Sequence, residues 1–129
     1  MKTYIQSILI AVFALTIFTG ASPVTPTPSE ELVWHEYIND AYAESEKTGK
    51  PIMANFTGSD WCGWCIKLSK EVFDTPEFKK WADENVVLVE LDFPKRTQLA
   101  EDLKTQNAGL QQAFGVSGFP TIWFFNLSK

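Results

Sequence analysis

Phe56-Thr57-Gly58-Ser59-Asp60-Trp61-Cys62-Gly63-Trp64-Cys65 is the stretch on which the reading of this chain turns. Ile52 to Phe56 is a short apolar run suited to a buried strand, and Thr57-Gly58-Ser59-Asp60 breaks it. Beyond the break, Cys65, Leu68, Val72 and Phe73 recur at helical spacing, so the two cysteines fall at a strand-to-helix junction. Residues three apart on a helix share a face, and two thiols so placed can close a small disulfide ring. Cys62, nearer the helix start, faces unpaired backbone donors and the positive end of the helix dipole, which favour its thiolate. It therefore reads as the attacking thiol, with Cys65 a turn further in to resolve the mixed disulfide that follows. Two other uses of the pair stay open. A purely structural bridge gains little from so small a loop. A zinc site wants four Cys or His ligands, and this chain offers two cysteines and His35.

Working outward, Glu31 to Lys47 carries a helix-like apolar spacing, with a short strand expected near Leu32 to Trp34 and stop signals at Thr48-Gly49-Lys50-Pro51. Thr75-Pro76-Glu77 starts another helix, with Phe78, Trp81 and Ala82 as its buried side. Val86 to Leu91 is β-branched and apolar and reads as a strand. Leu99, Leu103, Leu110, Ala113 and Phe114 follow at helical spacing up to Gly115, with Gly109 placed to break that helix in two. Thr121 to Phe125, behind Gly118-Phe119-Pro120, reads as a further strand. Helices alternating with short buried strands imply an α/β layered domain.

The 129 residues, 45% hydrophobic and 21% charged, are those of a globular protein, and one domain is the natural count. A formal charge of -5, with no cluster of basic residues, argues against a nucleic-acid surface. Residues 1–21 read as a secretory signal peptide: Lys2 is basic, Ile8 to Phe18 is apolar apart from Thr16, and Thr19-Gly20-Ala21 offers small residues for cleavage. An uncleaved membrane anchor is the competing reading of the same residues, although the run is shorter than the roughly 20 residues of a spanning helix. No cysteine near the cut provides for lipidation. Residues 22–29, with Pro23, Pro26 and Pro28 among Ser and Thr, are a linker, and 30–129 form the domain. Export to a periplasmic or extracellular space follows. Asn55-Phe56-Thr57 and Asn126-Leu127-Ser128 match the glycosylation pattern by chance, the first because it lies in a buried strand. His35 reads as a solvated helix residue.

Taken with Gly115-Val116-Ser117-Gly118-Phe119-Pro120-Thr121, the cysteine stretch resembles the thioredoxin superfamily, and within it the exported bacterial thioredoxin-like proteins and the C-terminal domain of the membrane thiol-disulfide interchange protein. The resemblance runs from about Trp34 to Asn126. It implies a thioredoxin-like fold, a central mixed sheet flanked by helices, and an enzyme that needs no cofactor and no metal. It further implies that Pro120 is a cis-proline, that the Phe119 backbone pairs with a bound peptide, and that Trp61, Gly63 and Trp64 line the partner groove. A plain packing role for Trp61 competes with that assignment.

Three departures from the family pattern matter. Thioredoxins usually carry a buried aspartate that takes the proton when the second cysteine reacts, and Asn55 aligns there, where it cannot serve as a base. Glu90, the ionisable residue inside the run Val86 to Leu91, is placed to assist Cys65 instead, unless it merely marks the strand's end beside Asp92. Gly63-Trp64 between the cysteines leaves the potential open, with a lean toward a reductase of exported proteins fed by a membrane electron donor; a disulfide oxidase or isomerase, and a redox-silent binding module, are the alternatives. The final strand and helix of the fold are missing, which suggests a fragment and an exposed apolar patch around Trp123 and Phe125 through which copies associate.

Overall fold

The computed structural model describes residues 31–127. The signal and linker assigned to 1–29, and Ser128 of the second glycosylation pattern, lie outside them. Among the described residues the chain runs β1 (Trp34–His35), α1 (Ile38–Thr48), β2 (Ile52–Thr57), α2 (Gly63–Leu68), a π-helical turn (Ser69–Phe73), α3 (Pro76–Asn85), β3 (Val87–Asp92), α4 (Glu101–Ala113) and β4 (Thr121–Phe125). The strands form one mixed sheet in the order β1-β3-β2-β4, with β1 and β2 parallel to β3 and β4 antiparallel to β2.

The helix boundaries follow from local chemistry. Gly49, at φ +72°, sends its N–H back to the Ser45 carbonyl and ends α1 in the left-handed conformation that glycine adopts without a steric cost. The Thr75 hydroxyl accepts from the Phe78 amide, and Pro76 fills the first position of α3, where no donor is needed. Four expectations are corrected. The first helix begins at Ile38 rather than Glu31, because Trp34 and His35 pair with Leu88 and Val89 as β1. His35 is thus a half-buried strand residue. Gly109 does not break α4, whose backbone continues through it to Ala113. Trp81 is exposed, and it is Ala82 that α3 buries fully.

Side-chain alternation sorts the sheet into two faces. Ile52, Ala54 and Phe56 of β2 join Val87, Val89 and Leu91 of β3 against Ile38, Ala41 and Val116. Met53 and Leu88 lie on the opposite face, against Phe73, Ala82 and Val86. Every residue of β2 is buried, as expected of a strand with both neighbours paired and both faces covered. Asn55 and Glu90 are register partners, and alternation puts both on the second face, the one that Met53 and Phe73 share.

Among the described residues β4 is an edge strand. The expected patch around Trp123 and Phe125 is corrected: the exposed side chains are Trp123 and Phe124, the latter 54% exposed, and alternation puts them on opposite faces of the strand. Phe125 pairs in register with Ile52 and turns onto Phe114, ring centroids 5.1 Å apart, so it belongs to the core.

Candidate active site

Cys62 is the N-cap of α2, with extended backbone angles (φ -85°, ψ 103°). Its amide is fixed to the Gly58 carbonyl at 2.9 Å, and its own carbonyl accepts from Ile66 at 3.0 Å. The break at Thr57-Gly58-Ser59-Asp60 thus ends in a tight turn that delivers Cys62 to the start of the helix. Cys62 and Cys65 are disulfide-bonded with Cα atoms 5.2 Å apart, and the Cys65 amide donates to Cys62 Sγ at 3.2 Å. Cys62 is 7% exposed and Cys65 2%, so the first cysteine is the more accessible. Gly63 and Trp64 stand out beside them, the indole of Trp64 72% exposed.

Trp61 is held from four sides. Its ring lies so close over Gly58 that a Cβ there would approach Cε2 to 2.5 Å, which is why glycine occupies the turn. Its Nε1 donates to the Phe93 carbonyl at 2.7 Å. Its ring meets Phe119 edge-on at 6.0 Å, and the Lys95 ammonium sits 3.7 Å above it. Phe119 in turn packs on Phe93 at 4.9 Å. The Phe119-Pro120 peptide bond is cis. Pro120 lines an apolar groove with Trp64, Leu68 and Val72, bordered by the Lys67–Glu71 ion pair.

Two carboxylates that sequence reasoning missed build this corner. Asp60 accepts from the amides of Lys95, Arg96 and Thr97 at 2.7 to 2.9 Å. Those amides, the Lys95 one foremost, hold its pKa down to about 2. Asp92 accepts from both the amide and the hydroxyl of Ser59. Together they tie the loop after β3 to the turn before Cys62, and so place Phe93 and Lys95 against Trp61. The one local signal was an acidic residue in a Gly-Ser turn, a type that readily bonds backbone amides.

Glu90 lines a pocket with Cys65, Thr57, Ser59 and Ser69. Burial pushes its carboxyl above the usual carboxylate range, and the charges of Asp92 and Glu36 push the same way. The structure therefore brings Glu90 to the buried side of the cysteine pair. His35 lines a different pocket, with Glu44 and Val86, and has no part in this one. Among the described residues no group of three or more His, Cys, Asp or Glu side chains gathers as for a metal ion.

A mixed sheet carrying a Cys-x-x-Cys helix start and a cis-proline loop defines a class, and the chain belongs to it: residues 38–128 match the model of the thioredoxin-like domain family. Among curated proteins it is similar to the disulfide bond reductase DsbH of Chlamydia pneumoniae, 37% identical over 78% of this chain and 60% of the relative. The thioredoxin-related protein DsbJ of the same organism is 35% identical, over 73% of this chain and 27% of DsbJ. Among solved structures, the DsbH oxidoreductase superposes with a TM-score of 0.70 at 36% identity, covering 81% of this chain and 72% of that one. The chain thus spans less than two thirds of the length of the curated relatives it matches.

Proposed function

We propose that this protein is a thiol-disulfide oxidoreductase that reduces disulfides of exported proteins through Cys62 and Cys65. The observation that carries the reading is the placement of Cys62 at the open end of α2, its sulfur met by the Cys65 amide, with Cys65 buried behind it. That amide stabilises negative charge on Cys62 Sγ once the disulfide opens. In the reduced protein the Cys62 thiolate attacks one sulfur of the substrate disulfide, forming a mixed disulfide and releasing the other sulfur as a thiolate that picks up a proton. Cys65 then gives up its proton and attacks Cys62 Sγ. The Cys62–Cys65 bond forms, two electrons have passed to the substrate, and its second thiol leaves. Glu90, in the pocket behind Cys65, is the group we assign to receive the Cys65 proton. Trp61, Gly63, Trp64, Phe119 and Pro120 form the surface on which the substrate peptide lies.

Residues 1–21 fit a leader that exports the chain, and the name of the relative DsbH favours reduction as the direction. A reductase in an oxidising compartment needs electrons from a membrane partner, since cytosolic reductants do not reach it. Copies of the chain associate through the β4 edge and its exposed Trp123 and Phe124.

The test is reduction of a protein disulfide with dithiothreitol as electron source. Cys62→Ser is expected to lose essentially all catalysed turnover, and Cys65→Ser to accumulate a covalent mixed disulfide with the substrate. No acceleration by the wild type over dithiothreitol alone would show that the fold acts as a redox-silent binding module, and full turnover by Cys62→Ser would remove Cys62 as the attacking thiol.

A further inference from the structure

Asn55 lies in the middle of β2, 2% exposed, and its Oδ1 has no hydrogen-bond partner among the described residues. Buried carbonyl oxygens are nearly always paired, and an unpaired one in a core demands a reason, a redox role among them. An apolar residue would suit the site better, since the flanking positions are Met53, Ala54 and Phe56.

The surroundings of Asn55 supply that reason. Its register partner is Glu90, and Glu90 and Cys65 line one pocket. The unpaired oxygen is therefore on the cysteine side of the sheet. In the disulfide, Cys65 Sγ carries no hydrogen and has nothing to donate. Reduction changes this: the Cys62–Cys65 bond takes two electrons from a dithiol and one proton, Cys62 is left as the thiolate, and the proton resides on Cys65 Sγ. A donor then exists where only an acceptor stood before.

We propose that Asn55 is the hydrogen-bond acceptor for the Cys65 thiol in the reduced protein, directly or across one water in the Glu90 pocket, and that it thereby favours the dithiol over the disulfide. Asn55 acts as a positioning residue, and the inference rests on the oxidoreductase reading above. It also accounts for an amide in place of a carboxylate. With Glu90 as its cross-strand neighbour, an aspartate would set two negative charges side by side in a buried sheet. The amide keeps the acceptor and leaves the charge to Glu90.

The test uses the whole chain in glutathione buffers of fixed composition. Asn55→Leu, of similar size and without an acceptor, is expected to lower the dithiol-to-disulfide ratio about tenfold, or about 30 mV for a two-electron couple. Asn55→Thr keeps an acceptor oxygen without a second charge beside Glu90 and is expected to leave the ratio within about threefold of wild type. A ratio in Asn55→Leu within twofold of wild type, or an equal fall in both variants, overturns the proposal. Independently of any variant, the Asn55 carbonyl ¹³Cγ resonance of the wild type is expected to move downfield on reduction; an unmoved resonance overturns it too. If the wild type forms no disulfide in these buffers at all, it is the oxidoreductase reading that falls, and the acceptor role with it.

Discussion

Glu90 is the residue at which the proposed proton transfer and stability meet. Its carboxyl sits above its ordinary value of 4.5 because burial penalises the charged form. An acid whose pKa is raised on folding contributes stability that is fully present below the unfolded value and lost as pH rises through the folded one. Wild-type stability relative to Glu90→Gln should therefore fall as pH climbs from 4.5 toward neutrality. Urea melts of the two proteins across that range check this, and parallel pH profiles would contradict it. The same variant should slow disulfide exchange and remove an inflection from its pH profile. Asp60 has the opposite sign: held at about 2 against an ordinary 3.8, it supports the fold fully above 3.8, and that support is lost progressively as pH falls from there through about 2. At this scale spacing and position single out Cys62 and Cys65, whose bond the structure gives, and a charge inside an apolar strand singles out Glu90, which the structure puts in one pocket with Cys65. Nothing of the kind singles out Asp60, because the amides it binds lie 35 to 37 residues further along and leave no pattern beside it.

Among the elements, the turn between β2 and α2 has the least room for change. Gly58→Ala places a methyl group 2.5 Å from the Trp61 indole, so the ring must leave its seat on Phe93 and Phe119. The expected result is a loss of about 1 to 3 kcal/mol in stability, as for other overpacked sites, and a shift of tryptophan fluorescence toward that of a hydrated indole. Unchanged stability and emission would show that the indole has another place to rest. Thr75→Ala removes one cap from α3 and should cost about 1 kcal/mol, measured by urea unfolding, while leaving exchange kinetics intact. β2, β3 and β4 were legible from apolar runs bounded by breakers. The errors fell where periodicity competes with pairing. Leu32 and Val33 fit a helical stripe, yet the neighbouring Trp34 and His35 were claimed by the edge of β3. Gly109 weakens a helix by about 1 kcal/mol relative to alanine, less than the rest of α4 supplies through Leu103 and Leu110 on the core.

For the molecule as a whole, the sheet presents an edge at β4 with aromatic residues on both of its faces, Trp123 beside Phe114 and Phe124 near Trp81. Reversible association at rising concentration is expected, and Phe124→Lys should weaken it without changing the redox chemistry, which is centred on α2. Sedimentation that shows wild type and variant equally monomeric would contradict this. That the exposed aromatic is Phe124 rather than Phe125 could be known only from register, because a one-residue slip exchanges the two faces of a strand. Whether Cys62 and Cys65 form a reducing couple is read from the equilibrium potential of the pair in glutathione buffers. A value near the thioredoxin figure of about -270 mV is expected, whereas one between about -120 and -180 mV would mean that electrons flow the other way and the protein is an oxidase or isomerase.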